Sequence, residues 1–298
     1  MSGGPVVVIG DLMTDVVTHV DDPLALGSDT PARVRTRQGG AGGNVAAWLA
    51  ALGVRVTLVA RVGQDPFGRE AVQVLSSSGV TVHAGADPVA ATGTCVVLVG
   101  PDGERTMLPD AGANSALSVA HLPLDVIRGA RHLHVSGYTL LNPGSRAAGT
   151  AALAAAHAAG VPTSVDAASA APLEAVGAAE FVALTTGVEL MFCTLDEAQA
   201  LCGSRDPGVV GARLTAHYPQ LVLKLGTAGA RWCAGDGRPA CAAPAVPASG
   251  PVVDATGAGD AFAAAYLAAV TSGGEVSDAL AAGCRQGSAL VTREGSRP

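Results

Sequence analysis

Val6-Val7-Val8-Ile9 is a run of four β-branched residues with no polar position among them. A strand written this way is covered on both faces, and that requires a sheet with helices packed against each side. The pattern recurs along the chain. Apolar segments at Val56 to Ala60, His132 to Val135, Pro162 to Asp166 and Glu189 to Cys193 alternate with helix-length segments such as Pro66 to Ser77 and Gly144 to Ala159. That alternation predicts an α/β fold with a mostly parallel central sheet. With 298 residues the chain is long enough to bury its own core.

Two stretches break the alternation. Ala32-Arg33-Val34-Arg35-Thr36-Arg37 alternates apolar and basic residues, as a half-exposed strand does. Thr94 to Pro109 contains two extended segments around Pro101-Asp102-Gly103-Glu104, a turn signal. Two β excursions from one α/β body suggest a small separate sheet, a lid drawn from about 14–38 and 92–112.

The formal net charge is −7 with Lys and Arg scattered, so neither a nucleic-acid groove nor an anionic membrane surface is expected. No segment reads as a signal peptide or a membrane span. Six cysteines without a CxxC pair or framework spacing fit free thiols in a cytoplasmic protein. His132 and His134 share one face of a strand, but no further His or Cys cluster supports a metal there.

Chemistry concentrates near the C-terminus. Val252-Val253-Asp254-Ala255-Thr256-Gly257-Ala258-Gly259-Asp260 leads into a helical pattern carrying Phe262, Tyr266 and Leu267 on one side. Small residues before a helix start leave backbone N–H groups free to converge on a phosphoryl oxygen. An acid in that first turn would repel a polyphosphate unless it has another task, and general base is the task that fits Asp260. Read alone, Asp254 and Asp260 equally suit turn and cap positions. A second glycine-rich stretch, Gln38-Gly39-Gly40-Ala41-Gly42-Gly43-Asn44, precedes a helix from Val45 to Leu52.

These two stretches, in this order and this far apart, resemble the C-terminal and N-terminal signatures of the PfkB, or ribokinase-like, carbohydrate kinases. The resemblance covers essentially the whole chain. It implies a single ribokinase-like domain over 1–298, a three-layer α/β/α sandwich with a small β-sheet lid that in relatives often mediates homodimers. It implies ATP and Mg²⁺ as cofactors and phosphorylation of a hydroxyl on a small sugar. A nucleoside of the adenosine or pseudouridine kind is the alternative acceptor, and a catalytically silent sugar- or nucleotide-sensing protein is the alternative from another class.

Position by position, the resemblance implies Asp260 as catalytic base and Thr256, Gly257, Ala258 and Gly259 as the anion hole. Asp15, Gly39, Gly40, Gly43, Asn44 and Asn114 match substrate-binding positions. Lys224, Gly226 and Gly229 match the nucleotide loop, although those glycines also suit a hairpin. Glu197 matches a residue that acts on Mg²⁺ through water, while Thr194 and Glu197 together also form a capping box. Asp254 matches a monovalent-cation ligand, which implies K⁺. Two positions depart from the family pattern, Met13 and Thr194, where relatives often carry Asn. A dinucleotide-dependent oxidoreductase is disfavoured, because Gly10-Asp11-Leu12 after the first strand is not a dinucleotide fingerprint.

Overall fold

The computed structural model describes residues 3–102 and 104–298, so Gly103 of the expected turn lies outside the described residues. The chain starts with β1 (Val6–Ile9), then β2 (Met13–Val20), β3 (Ala32–Gly39), α1 (Ala41–Ala51), β4 (Val56–Gly63), α2 (Pro66–Ser77), β5 (Thr81–Asp87), β6 (Gly93–Val99) and β7 (Arg105–Asp110). The middle comprises α3 (Leu124–Arg128), β8 (His132–Ser136), α4 (Gly137–Leu141), α5 (Arg146–Ala158), β9 (Thr163–Asp166), α6 (Ala170–Val176), α7 (Ala178–Leu184) and β10 (Leu190–Thr194). It ends with α8 (Leu195–Cys202), α9 (Pro207–Leu214), β11 (Gln220–Lys224), β12 (Ala230–Ala234), β13 (Cys241–Ala243), α10 (Ala258–Thr271) and α11 (Val276–Leu290).

Among the described residues nine strands form one sheet, in the order β13-β12-β11-β10-β9-β8-β1-β4-β5. It is parallel from β11 to β5, and β12 and β13 add an antiparallel edge. All four residues of β1 are fully buried, as their β-branched run demands. Val7 and Ile9 pack into an apolar layer with α5, α7 and α8, while Val6 and Val8 pack into a second layer with α1, α10 and α11. Helices therefore cover both faces and make three layers.

The order of strands reverses direction at β1, which has β4 on one side and β8 on the other. In open parallel sheets the crevice beyond the carboxyl ends of the strands at such a switch is where ligands bind. Asp11, Asp166, Thr194 and Lys224 all sit at or just past the carboxyl ends of strands β1, β9, β10 and β11.

The second sheet has the order β3-β2-β6-β7. Its β2 was not anticipated, because Met13 to Val20 interleaves Asp15, Thr18 and His19 with apolar residues and is mostly only half-buried. One face of this sheet carries Asp15, Val17 and His19 from β2, Arg35 and Arg37 from β3, Val97 and Val99 from β6, and Arg105 from β7. That face meets residues 253–256 and 294–296 across a cavity.

Candidate active site

The loop before α10 is built by its own carboxylate. Thr256 N–H donates to Asp254 Oδ1 at 2.8 Å, and Val253 N–H ties the loop to the Val291 carbonyl beyond α11 at 2.7 Å. Gly257 then enters the helix at φ 79°, a conformation that disfavours side chains, and a Cβ there would lie 2.5 Å from Ser296 Cβ. Ala261 N–H reaches the Gly257 carbonyl at 2.9 Å and starts the helix.

Of the four expected anion-hole residues, two need correction. Ala258 N–H donates to Ala255 O at 3.2 Å, and Thr256 N–H is the one that holds Asp254, so neither is free for a ligand. The loop folds back on itself to reach the helix, and that turn consumes both donors. Among the described residues the N–H groups of Gly257, Gly259 and Asp260 have no acceptor.

The Asp260 carboxylate accepts from Asn44 Nδ2 at 2.8 Å. Burial raises its pKa to about 7; Asn44 and Lys224 pull it down, and the Asp166 and Asp11 charges push it up. Lys224 Nζ, at the end of β11, donates to Asp166 Oδ2 at 2.7 Å. Burial pulls the lysine pKa down, but Asp166, Glu197 and Asp260 outweigh that, so the ammonium stays charged. Its expected nucleotide role thus becomes a place between three carboxylates at the foot of α10. A Cβ on Gly259 would lie 3.2 Å from Nζ.

On the other side of Asp260, Asn44 Oδ1 accepts from Ser296 Oγ at 3.0 Å and from Arg297 Nε at 3.2 Å. Arg297 also donates to the Gly39 carbonyl at 2.7 Å, and its guanidinium fills the space where a Gly43 Cβ would go. Burial lowers the Arg297 pKa to about 10 against the pull of Asp15, Asp11 and Asp260, and its Nη1 is buried with no partner among the described residues. Asn44, expected to meet substrate hydroxyls, is therefore a buried hub that holds Asp260.

Asp15 faces the same space. Burial raises its carboxyl to about 6, with Arg297 opposing and Asp11 and Asp254 adding to the rise. The Gly39 backbone passes close to Asp15, since a Cβ there would collide with its carboxylate. Gly40, at φ 89°, turns the chain into α1, whose Ala41 N–H is held by Asp11 Oδ2 at 3.1 Å.

Asn114 is a second correction. Its Oδ1 accepts from Leu12 N–H at 3.0 Å, and its Nδ2 donates to the carbonyls of Leu12 at 2.9 Å and Ala111 at 3.0 Å. A buried amide with both hydrogens committed fixes the β1–β2 link and leaves no donor for a substrate.

Glu197 completes a capping box with Thr194: Thr194 N–H donates to Glu197 Oε2 at 2.7 Å and Glu197 N–H to Thr194 Oγ1 at 3.3 Å. Burial raises its pKa, with Lys224 opposing and Asp166 adding to the rise. Cap and charged neighbourhood coexist. Gly226 and Gly229, at φ 58° and 93°, make the tight β11–β12 turn, and Gly229 packs against the Ala243 carbonyl. His132 and His134 both meet Ser164 Oγ, at 2.7 and 2.9 Å, and burial lowers their pKa values to about 3 and 4.

Asp254 is the third correction. Thr256 N–H, Gly295 N–H at 3.4 Å and the Arg105 guanidinium already surround its carboxylate. A monovalent cation does not fit beside a guanidinium on the same oxygen.

Sequence reasoning missed Asp11, Asp166, Ser296 and Arg297. An acid at or just past the carboxyl end of an apolar strand was the available signal for Asp11 and Asp166. Nothing in Gly295-Ser296-Arg297-Pro298 marks residues that return to a site begun more than 250 positions earlier.

Known proteins resemble this chain in sequence and in fold. A family model described as pfkB family carbohydrate kinase matches residues 5–298. Fructokinase-2 of Solanum habrochaites is 32% identical over 168 residues, which is 55% of this chain and 50% of that protein, so the match spans about half the relative's length. Among solved structures, adenosine kinase from Sinorhizobium meliloti superposes with a TM-score of 0.90 at 24% identity, covering 99% of this chain and 96% of that one. The Arabidopsis thaliana ribokinase complexed with ribose and ATP superposes with a TM-score of 0.84, also at 24% identity, covering 99% and 96%. The fold is therefore ribokinase-like.

Proposed function

We propose, from the premise that this chain belongs to the pfkB family of carbohydrate kinases, that it transfers the γ-phosphoryl group of ATP to a hydroxyl of a small sugar. The observation that carries this reading is the Asp260 carboxylate. It stands in the first turn of α10, beside the free N–H groups of Gly257 and Gly259, and has a pKa of about 7. A general base works best when its pKa lies near the operating pH.

The acceptor hydroxyl lies between Asp15 and Asp260. Its O–H bond breaks toward an Asp260 oxygen as the new O–P bond forms, and the bond from the γ-phosphorus to the bridging oxygen breaks to release ADP. The N–H groups of Gly257, Gly259 and Asp260 meet the charge on the phosphoryl oxygens. Asn44 Nδ2 fixes the base in place, and Lys224 limits the repulsion between Asp260 and the incoming phosphates. The four-stranded sheet acts as a lid that keeps out water, which would otherwise accept the phosphate.

The residues fit Mg²⁺ carried in with the nucleotide better than a resident metal cage. Among the described residues no group of three or more His, Cys, Asp or Glu side chains is placed to hold a metal ion. Asp166 is committed to Lys224 and to Ala168 N–H, while Glu197 keeps Oε1 for a metal-bound water. When bound, Mg²⁺ neutralises phosphate charge.

The test is coupled ADP release with Mg·ATP against a panel of free sugars and nucleosides, with Asp260→Asn alongside. Turnover with a sugar that falls at least about 10²-fold in the variant supports the reading. Equal turnover in the two proteins removes Asp260 as the base, and turnover with nucleosides alone replaces the sugar acceptor.

A further inference from the structure

The cation position at Asp254 is filled from an unexpected direction. Arg105 stands at the start of β7, on the edge strand of the four-stranded sheet, and its guanidinium reaches across the cavity to the loop before α10. Nη1 donates to Asp254 Oδ1 and, at 2.9 Å, to Thr256 Oγ1; Nη2 donates to the Val253 carbonyl at 3.1 Å. Three acceptors on residues 253, 254 and 256 thus converge on one planar cation. A carboxylate, a hydroxyl and a backbone carbonyl are also the oxygen donors a hard monovalent cation takes.

We propose that Arg105 is a positioning residue that serves as the loop's built-in cation, so that the loop before α10 needs no monovalent ion and is ordered only when the four-stranded sheet is closed over it. The guanidinium belongs to the four-stranded sheet and the loop to the α/β body, and the contact exists only while the two are together. The same Asp254 oxygen that Arg105 grips also accepts Thr256 N–H, one residue before Gly257. Withdrawing the sheet therefore loosens the turn that presents the Gly257 and Gly259 N–H groups. A diffusible ion would keep the loop ordered whether the sheet was open or closed; a cation fixed to the sheet makes the phosphate site form as the acceptor is enclosed. An empty enzyme then has an incomplete anion hole, which limits transfer to water.

The surroundings are consistent with a latch. Val97 and Val99, on β6 beside β7, are buried in the same cavity wall, so the closed sheet presents an apolar face toward the loop. Arg35 and Arg37 on β3 pair with Glu294, close to Gly295, whose N–H also reaches Asp254. Asp254 is held below the usual carboxylate range because the Thr256 hydrogen bonds and the Arg105 charge together outweigh its burial.

The catalytic consequence rests on the phosphotransferase reading, whereas the clamp itself does not, and the test separates the two. Amide hydrogen exchange over residues 252–257 is measured for the wild type, Arg105→Ala and Arg105→Lys, each in potassium chloride and in choline chloride, with no acceptor present. Exchange over β1 and β4 serves as the folding control. The expected result is wild-type protection that is the same in both salts. Arg105→Ala should exchange at least about tenfold faster over 252–257 in choline and recover in part with potassium, and Arg105→Lys should fall between. Protection in the wild type that drops severalfold without potassium, or full protection in Arg105→Ala, overturns the proposal. Where an acceptor is in hand, Arg105→Ala should lower kcat and leave the KM for ATP within about twofold, since the loop acts on the transferring group. Absence of turnover in every protein would count against the kinase reading and leave the exchange result standing.

Discussion

The amide of Asn44 lies 2.8 Å from the carboxylate of Asp260 across 216 residues of sequence, and that contact joins the two glycine-rich stretches into one site. The same amide accepts from Ser296 and Arg297, so three distant parts of the chain meet at a single side chain. Asn44 thus fixes the orientation of Asp260, whose burial raises its pKa to about 7 against the pull of that hydrogen bond.

A base with that pKa should impose a single rising limb on kcat/KM. Below pH 7 the value should fall about tenfold per pH unit as Asp260 takes up a proton, and above about pH 8 it should level off. Initial rates between pH 5 and 9 at saturating Mg·ATP give the profile. A flat profile down to pH 5 would falsify the assignment of Asp260 as base.

Arg297→Ala should move that limb toward higher pH. The guanidinium faces Asp15, Asp11 and Asp260, and removing it leaves three carboxylates without their shared cation. At pH 7 the expected loss in kcat/KM is about threefold, shrinking at pH 9. An equal loss at both pH values would mean that Arg297 acts by packing alone.

Asp260→Asn should stabilise the protein at alkaline pH. A carboxyl raised from 3.8 to about 7 on folding is protonated in the folded state where the unfolded chain has already released its proton. Its contribution to stability therefore falls as pH rises from about 4 to 7 and stays low above that. About 4 kcal/mol is the ceiling such a change implies, and about 1–2 kcal/mol is the expected gain for the variant at pH 8. Urea midpoints at pH 8 and pH 4.5 should show the gain at the first and little at the second.

Asn114→Ala tests whether that amide clamps or binds. Removing it leaves the buried N–H and carbonyl of Leu12 unpaired, which should cost about 2–3 kcal/mol in denaturant unfolding. A variant with unchanged stability and a raised KM for the acceptor would instead restore it to the substrate site.

Much of this architecture is legible one residue at a time. The β-branched run at Val6 to Ile9 demanded burial on two faces, and the alternation of strands and helices demanded a parallel sheet. Small residues before α10 marked a place where backbone N–H groups are exposed. Capping boxes and turns are local, so Thr194 with Glu197 read correctly as a cap. Strand β2 was less legible, because its face carries Asp15 and His19 toward a cavity and its hydrophobic alternation is blurred.

The sequence by itself determined the sheet class and the acid at the head of α10, since each depends on neighbours within a few residues; the start of α1 it misplaced, because the helix begins at Ala41 inside the glycine-rich stretch and not at Val45. Only the tertiary structure decided which side chains those elements place together. Asn114 turned inward because Leu12, 102 residues away, offers two unpaired backbone groups. Arg105 came to Asp254 because β7 begins opposite the loop. Arg297 entered the site because the chain beyond α11 runs back under Gly39 and Asn44. Local propensity carries no information about contacts of that range, and burial makes each of them consequential by removing the water that would otherwise satisfy the same groups.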